Sequence, residues 1–220
     1  MSKSKIIIGY WNIKGRGEIL RHLCEFLSIP YENKLYIDPA QWFKKDKPAL
    51  KSDFPNLPYI LDGDKVITES EACAMYLIHK SNRLDLLGSN MDEMIHITQL
   101  RGVLTDLHNN LNKVAFNKEG DFTELAKGIE KTCVPKLFLL SKHLGDREWL
   151  IGKITYPDFL FFRTLGLLSM NGNWLEKFPN LDLFLQRFKD LPAIKAYLAS
   201  DRNLKIPIMP SFMVHPKFKH

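Results

Sequence analysis

Over the first eighty residues, apolar positions come in short bursts separated by turn-forming residues. Residues 5–10 form a β-branched and aromatic run, which predicts a strand. Gly15-Arg16-Gly17 interrupts it, and Ile19, Leu20, Leu23 and Leu27 then recur at helical spacing. A second strand is expected near residues 33–37. Two more, at 59–61 and 65–67, flank the hairpin signal Asp62-Gly63-Asp64. Thr68-Glu69-Ser70-Glu71 opens a helix running to Lys80, with acidic residues in the first turn where the helix dipole favours them. The order is β-α-β, then β-β-α.

From residue 89 the pattern is helical almost throughout. Met94, Ile97, Leu100, Leu104, Leu107, Leu111 and Val114 step by three or four and make one apolar stripe. Residues 122–144 read as a further helix, bent at Pro135. Ile154-Thr155-Tyr156-Pro157-Asp158-Phe159 is a helix start, with Thr155 as cap, Asp158 reaching back and Pro157 in the first turn. Shorter helices are expected at 181–191 and 192–200. The fold class is therefore α+β: a small mixed-sheet domain over 1–84, joined near residues 81–89 to an all-helical domain over 89–220.

Composition narrows the function classes. The 220 residues, 45% apolar and 25% charged, suit a soluble globular protein, and no apolar run is long enough to span a membrane. The basic start has too short an apolar stretch for a signal peptide. Net charge is +6, but the lysines are dispersed among acidic residues and no nucleic-acid motif accompanies them. The excess points to solubility or a small anionic ligand. Cys24, Cys73 and Cys133 are odd in number and far apart, against a disulfide framework or a metal site. A cytoplasmic protein without a metal is expected.

Three features carry chemistry. In Phe54-Pro55-Asn56-Leu57-Pro58-Tyr59, a cis bond before Pro58 would turn the backbone N–H and C=O of Leu57 outward, unpaired, for strand-like pairing with an extended peptide. An ordinary turn into a strand explains the motif equally well. Glu69-Ser70 lies at a helix start, where backbone N–H groups and a hydroxyl can bind a carboxylate; Ser70 as a plain cap is the alternative. Tyr10 ends the first strand beside both, and alone would read as a core tyrosine.

Together the blocks Gly9-Tyr10-Trp11-Asn12-Ile13-Lys14-Gly15, Asp53 to Tyr59 and Ile154 to Phe159 resemble the cytosolic glutathione transferases, the mu class in particular, over nearly the whole chain. The resemblance implies a thioredoxin-like N-terminal domain. It also implies an enzyme that joins the glutathione thiolate to small hydrophobic electrophiles, with glutathione as co-substrate and no cofactor. By the same likeness Tyr10 donates a hydrogen bond to the sulfur, while Trp11, Leu57 and Pro58 line the peptide. Trp42, Lys47 and Asn56 meet the glycine carboxylate, and Glu69 and Ser70 hold the γ-glutamyl end. Asp106 reaches the γ-glutamyl amine bound to the other subunit of a homodimer anchored by Phe54. Phe116 stands where mu-class enzymes usually place a tyrosine that assists epoxide opening. A non-catalytic carrier of apolar ligands, or a glutathione-dependent isomerase, is the alternative on this fold.

The chain departs from the mu pattern in four places. Residues 35–42 are shorter, and the Trp42 to Asn56 spacing is one residue longer, which leaves Lys45 beside Lys47 as a candidate. Glu69 replaces a glutamine, and Gly15-Arg16-Gly17-Glu18 looks more like the sigma or alpha classes.

Overall fold

The computed structural model describes residues 5–115 and 122–205, which group into two compact units. One holds the described residues through Arg83 together with those from Pro192 onward. The other holds Leu84–Leu191.

The first unit runs β1 (Ile6–Trp11), α1 (Gly17–Phe26), β2 (Tyr31–Tyr36), a π-helical turn (Gln41–Asp46), α2 (Lys47–Ala49), β3 (Tyr59–Asp62), β4 (Lys65–Thr68) and α3 (Ser70–Lys80). The sheet order is β2-β1-β3-β4, with β1 parallel to β2 and antiparallel to β3. Alternation along β1 gives the sheet two characters. Ile6, Ile8 and Tyr10 are buried on one face, to which α1 adds Leu20 and Leu23. The other face carries Gly9, Trp11, Tyr36 and Tyr59. Gly9 is fixed by packing, because a Cβ there would lie 2.1 Å from the ring of Tyr59.

The chain's last described helix, α9 (Pro192–Leu198), groups with this unit and not with the helical stretch it follows in sequence. The anchor is polar. Tyr197 donates its hydroxyl to Glu18 Oε1 at 3.0 Å, and Arg21 Nη1 meets Glu18 Oε2 at 2.6 Å while its Nε donates to Asn33 Oδ1 at 2.8 Å. Burial alone would raise the Glu18 carboxyl; the charges of His22 and Arg21 outweigh it and hold the group below its usual range.

The second unit holds α4 (Met91–Ala115), α5 (Phe122–Thr132), α6 (Val134–Leu144), α7 (Tyr156–Ser169) and α8 (Pro179–Asp190). The stripe Ile97, Leu100, Leu104, Leu107 and Leu111 is buried as expected, whereas Met94 is exposed. Residues 122–144 are two helices, not one bent helix. The break falls at Cys133, and Pro135 sits in the first turn of α6, where its missing N–H costs no helical hydrogen bond. At the start of α7, Asp158 Oδ2 accepts the Thr155 N–H at 2.7 Å and the Thr155 hydroxyl at 2.9 Å, the expected reach-back.

Candidate active site

Tyr10 lies at the end of β1 with its ring covered by the turn into α1. Gly15 adopts φ +38°, and a Cβ there would sit 2.8 Å from the Tyr10 hydroxyl; one on Gly17 would sit 2.9 Å from the ring. Both glycines are required by this close approach. Between them, the Arg16 N–H donates to the Tyr10 hydroxyl oxygen at 3.1 Å. The oxygen is thus held as an acceptor, and its own proton has no acceptor among the described residues.

On the opposite face an aromatic floor forms. Trp42, 2% exposed, stacks on Tyr59 with ring centroids 6.0 Å apart and meets Tyr36 edge-on at 5.3 Å. Trp11 and Leu57 pack against this cluster from above, half-buried. Sequence reasoning assigned Trp42 a ligand contact. The structure buries it against Tyr36 and Tyr59, in the cluster on which Trp11 and Leu57 also pack.

The π turn carries Lys44 and Lys45, and Lys47 follows it as the first residue of α2. Asp46 accepts Lys34 Nζ at 2.8 Å and the Tyr36 hydroxyl at 2.9 Å, and Tyr36 and Tyr59 hydroxyls lie 2.8 Å apart. The Lys34 hydrogen bond holds the Asp46 carboxyl below its usual range. Nothing in the sequence reading singled out Asp46, since one aspartate among lysines reads as a solvated face; only its meeting with β2 shows its use. Lys47 is half-buried with its ammonium over the Phe43 ring at 5.9 Å, whereas Lys44 and Lys45 are exposed.

The Leu57–Pro58 bond is cis, and Pro58 is buried. The N–H of Leu57 is not free as expected, because Asn56 Oδ1 folds back to accept it at 2.9 Å. Short polar side chains commonly satisfy a neighbouring backbone group this way. The Leu57 carbonyl accepts no hydrogen bond among the described residues. Asn56 Nδ2 in turn donates to Glu69 Oε1 at 2.8 Å, so one amide ties the Leu57 segment to the start of α3.

Glu69 itself holds φ +67°, a left-handed conformation that non-glycine residues adopt at a cost and that concentrates at functional sites. It is the residue before the first turn of α3, and no side chain caps that turn. Ser70 is therefore the first helical residue and not the cap, which leaves its hydroxyl and the adjacent N–H groups for an anion.

Two further predicted residues are not part of the first unit's described residues. Asp106 lies exposed on α4 in the second unit and pairs with Lys136 Nζ at 3.1 Å. Phe116 lies outside the described residues. The cysteines are all free and buried, and burial raises each thiol, Cys73 to about 12. None is an available nucleophile near neutral pH. Among the described residues, no group of His, Cys, Asp and Glu is placed to hold a metal, and no helix is long and apolar enough to cross a membrane.

Comparison with known proteins identifies the family. Residues 7–79 match the glutathione S-transferase N-terminal domain and residues 105–201 the C-terminal domain. Glutathione S-transferase Mu 1 of Homo sapiens is 37% identical over 218 residues, covering 95% of this chain and 97% of that protein. Mu 1 of Bos taurus is 35% identical, covering 92% and 94%. Among solved structures, the Pi-class glutathione S-transferase of Onchocerca volvulus superposes with a TM-score of 0.80 at 26% identity, over 96% of this chain and all of that one. Rat hPGDS complexed with a quinoline gives 0.76 at 26% identity, over 89% and 96%. With a mixed four-stranded sheet followed by helices, both domain models matched and Mu-class relatives over most of its length, this chain belongs to the glutathione S-transferase family and is an enzyme of that family.

Proposed function

We propose that the enzyme binds glutathione along the first unit with its sulfur at the Tyr10 hydroxyl, and transfers the thiolate to small hydrophobic electrophiles. The observation that carries this is the Arg16 N–H to Tyr10 hydroxyl bond at 3.1 Å, which fixes the oxygen and leaves its proton to donate. Accepting one hydrogen bond also polarises the O–H and strengthens it as a donor. A free thiol titrates at about 8.5, so only a few per cent is thiolate at neutral pH. Lowering that value by two units needs roughly 2.7 kcal/mol of differential stabilisation. A preorganised charge-assisted hydrogen bond supplies a large part of it. Tyr10 acts as a hydrogen-bond donor and is not the nucleophile; the thiol proton leaves to solvent, the sulfur attacks, and the leaving group departs with its electron pair.

The remaining contacts follow the site's two ends. Lys47 and Trp42, with Asn56, form the glycine-carboxylate end, and Glu69 and Ser70 the γ-glutamyl end; Trp11, Leu57 and Pro58 line the middle. Glu69 accepts from an ammonium, and Asn56 keeps its carboxylate oriented. The working form is a cytoplasmic homodimer with Phe54 as anchor and Asp106 acting toward the glutathione of the partner subunit. Phe116, an apolar wall without a hydroxyl, favours aromatic substitution over epoxide opening.

The test is Tyr10→Phe, followed by ultraviolet titration of the bound thiolate. The variant should keep glutathione affinity within about threefold while the titration midpoint rises toward the solution value and turnover falls by about two orders of magnitude. Wild-type titration in the variant would remove Tyr10 from the mechanism. Conjugation of a chloronitrobenzene acceptor separates this reading from a carrier, which would bind the acceptor unchanged.

A further inference from the structure

We infer that the C-terminal segment of the first unit positions the Tyr10 hydroxyl through Tyr197 and Asn203, a role that presupposes Tyr10 as the donor to sulfur. The hydroxyl is held by a turn of two glycines around Arg16, the most deformable backbone available. What steadies that turn is found at its flanks, Lys14 and Glu18. Their backbones join, Glu18 N–H to the Lys14 carbonyl at 2.9 Å. Both side chains then reach the far end of the chain. Lys14 Nζ donates to Asn203 Oδ1 at 3.0 Å across 189 positions, and the Tyr197 hydroxyl donates to Glu18 Oε1 at 3.0 Å across 179.

The far end is itself closed, because Asn203 Nδ2 donates to the Leu198 carbonyl at the end of α9 at 3.0 Å. A ring of hydrogen bonds therefore runs from α9 through Tyr197 and Glu18 to Lys14, and back through Asn203. Its inner edge is the turn that offers the Arg16 N–H to Tyr10. The joint at Glu18 is rigid, since Tyr197 is fully buried and Glu18 only 5% exposed. Arg21 fills the other carboxylate oxygen. Catalytic donors need placement within about half an ångström, which a bare glycine turn does not provide.

General docking of the segment is distinguishable from this role. Arg202 also ties it to α1, pairing with Glu25 at 2.9 and 3.2 Å, but at the opposite end of that helix from the Tyr10 turn. Full-length Tyr197→Phe, Asn203→Ala, Arg202→Ala and Tyr10→Phe are to be compared by thiolate titration of bound glutathione, by kcat and KM with a chloronitrobenzene acceptor, and by thermal melting. Tyr197→Phe and Asn203→Ala should each move the titration midpoint upward and lower kcat about three- to tenfold near pH 6.5, with KM for glutathione within about twofold. Arg202→Ala should leave the midpoint at the wild-type value even where it lowers the melting temperature.

Midpoints unchanged in Tyr197→Phe and Asn203→Ala, or shifted equally in Arg202→Ala, overturn the inference. Should Tyr197→Phe fail to fold, Asn203→Ala decides alone. If Tyr10→Phe also titrates as wild type, the role of Tyr10 falls and the brace with it. If Tyr10→Phe shifts and the other two do not, only the brace falls.

Discussion

The backbone N–H of Lys47 donates to the carbonyl of Trp42, five residues back, where an α-helix would bond four. This wide turn consumes one residue more than an α-turn. The same segment is one residue longer between Trp42 and Asn56 than in the mu pattern it resembles. Such single-turn widenings favour functional sites. This one leaves Lys47 half-buried and Lys45 exposed. Lys47→Ala should therefore raise KM for glutathione about three- to tenfold, and Lys45→Ala less than about twofold. γ-Glutamylcysteine, which lacks the glycine, should bind both variants and wild type alike. Equal effects of the two lysines on glutathione would contradict the assignment.

A second prediction concerns the space over Tyr10. In Gly17→Ala the new methyl would lie 2.9 Å from the ring atoms nearest the backbone, which have little room to swing away. Either the ring or the start of α1 must move. We expect kcat to fall on the order of tenfold or more with a smaller change in KM, because the hydroxyl shifts relative to sulfur while the peptide contacts persist. A crystal structure of the variant with an unmoved Tyr10, or unaltered steady-state rates, would count against the packing argument.

Those two sites also show what the sequence makes legible. The strand and helix order follows from periodicity, whereas Tyr10, Pro58 and Ser70 each have an ordinary local explanation and stand out only in combination and through the family resemblance. Asp46 and Tyr197 are invisible to that approach. Each acts through a partner distant in sequence: Asp46 through Lys34 and Tyr36, Tyr197 through Glu18. The break at Cys133 is not legible in the sequence, because the proline marks the helix start only once the preceding turn is known. The occupied N–H of Leu57 depends on a single rotamer of Asn56. No pattern of residue types encodes that.

His143 gives the second unit a source of acid sensitivity whose sign follows from its surroundings. His143 Nε2 lies 2.8 Å from the Leu150 carbonyl, and burial, aided by Arg147 and His96, lowers its affinity for a proton. Unfolded histidine titrates at about 6.5, so below that pH the unfolded chain binds more protons and stability falls until the folded group also titrates. Asp158, on the N–H side of the same Leu150, runs the other way. Burial raises it to about 6, so its contribution is lost as pH rises through that value. His143→Gln keeps a donor for Leu150 but does not titrate. Melting temperatures between pH 7 and 5.5 should drop less in this variant than in wild type. A parallel decline in both would exclude His143 as the source.

Phe54 supplies the last prediction. Its side chain is 76% exposed in the single chain, immediately before the Pro55-Asn56-Leu57-Pro58 segment proposed to line the peptide. A phenyl ring so exposed gains about 2 kcal/mol on full burial, which is why buried aromatic anchors dominate interfaces. Phe54→Ala should weaken homodimer association at least about tenfold, seen by sedimentation across a dilution series. The variant should also lose activity on dilution, because Asp106 is assigned to the glutathione of the partner subunit. That assignment competes with the Lys136 pair at 3.1 Å, which is exposed and therefore inexpensive to break. Asp106→Asn separates the two consequences: it should raise KM for glutathione in the dimer without altering the dissociation constant. A Phe54→Ala protein that remains a tight dimer, or dilutes to monomer with full activity, would remove Phe54 as anchor in the first case and Asp106 as a shared contact in the second.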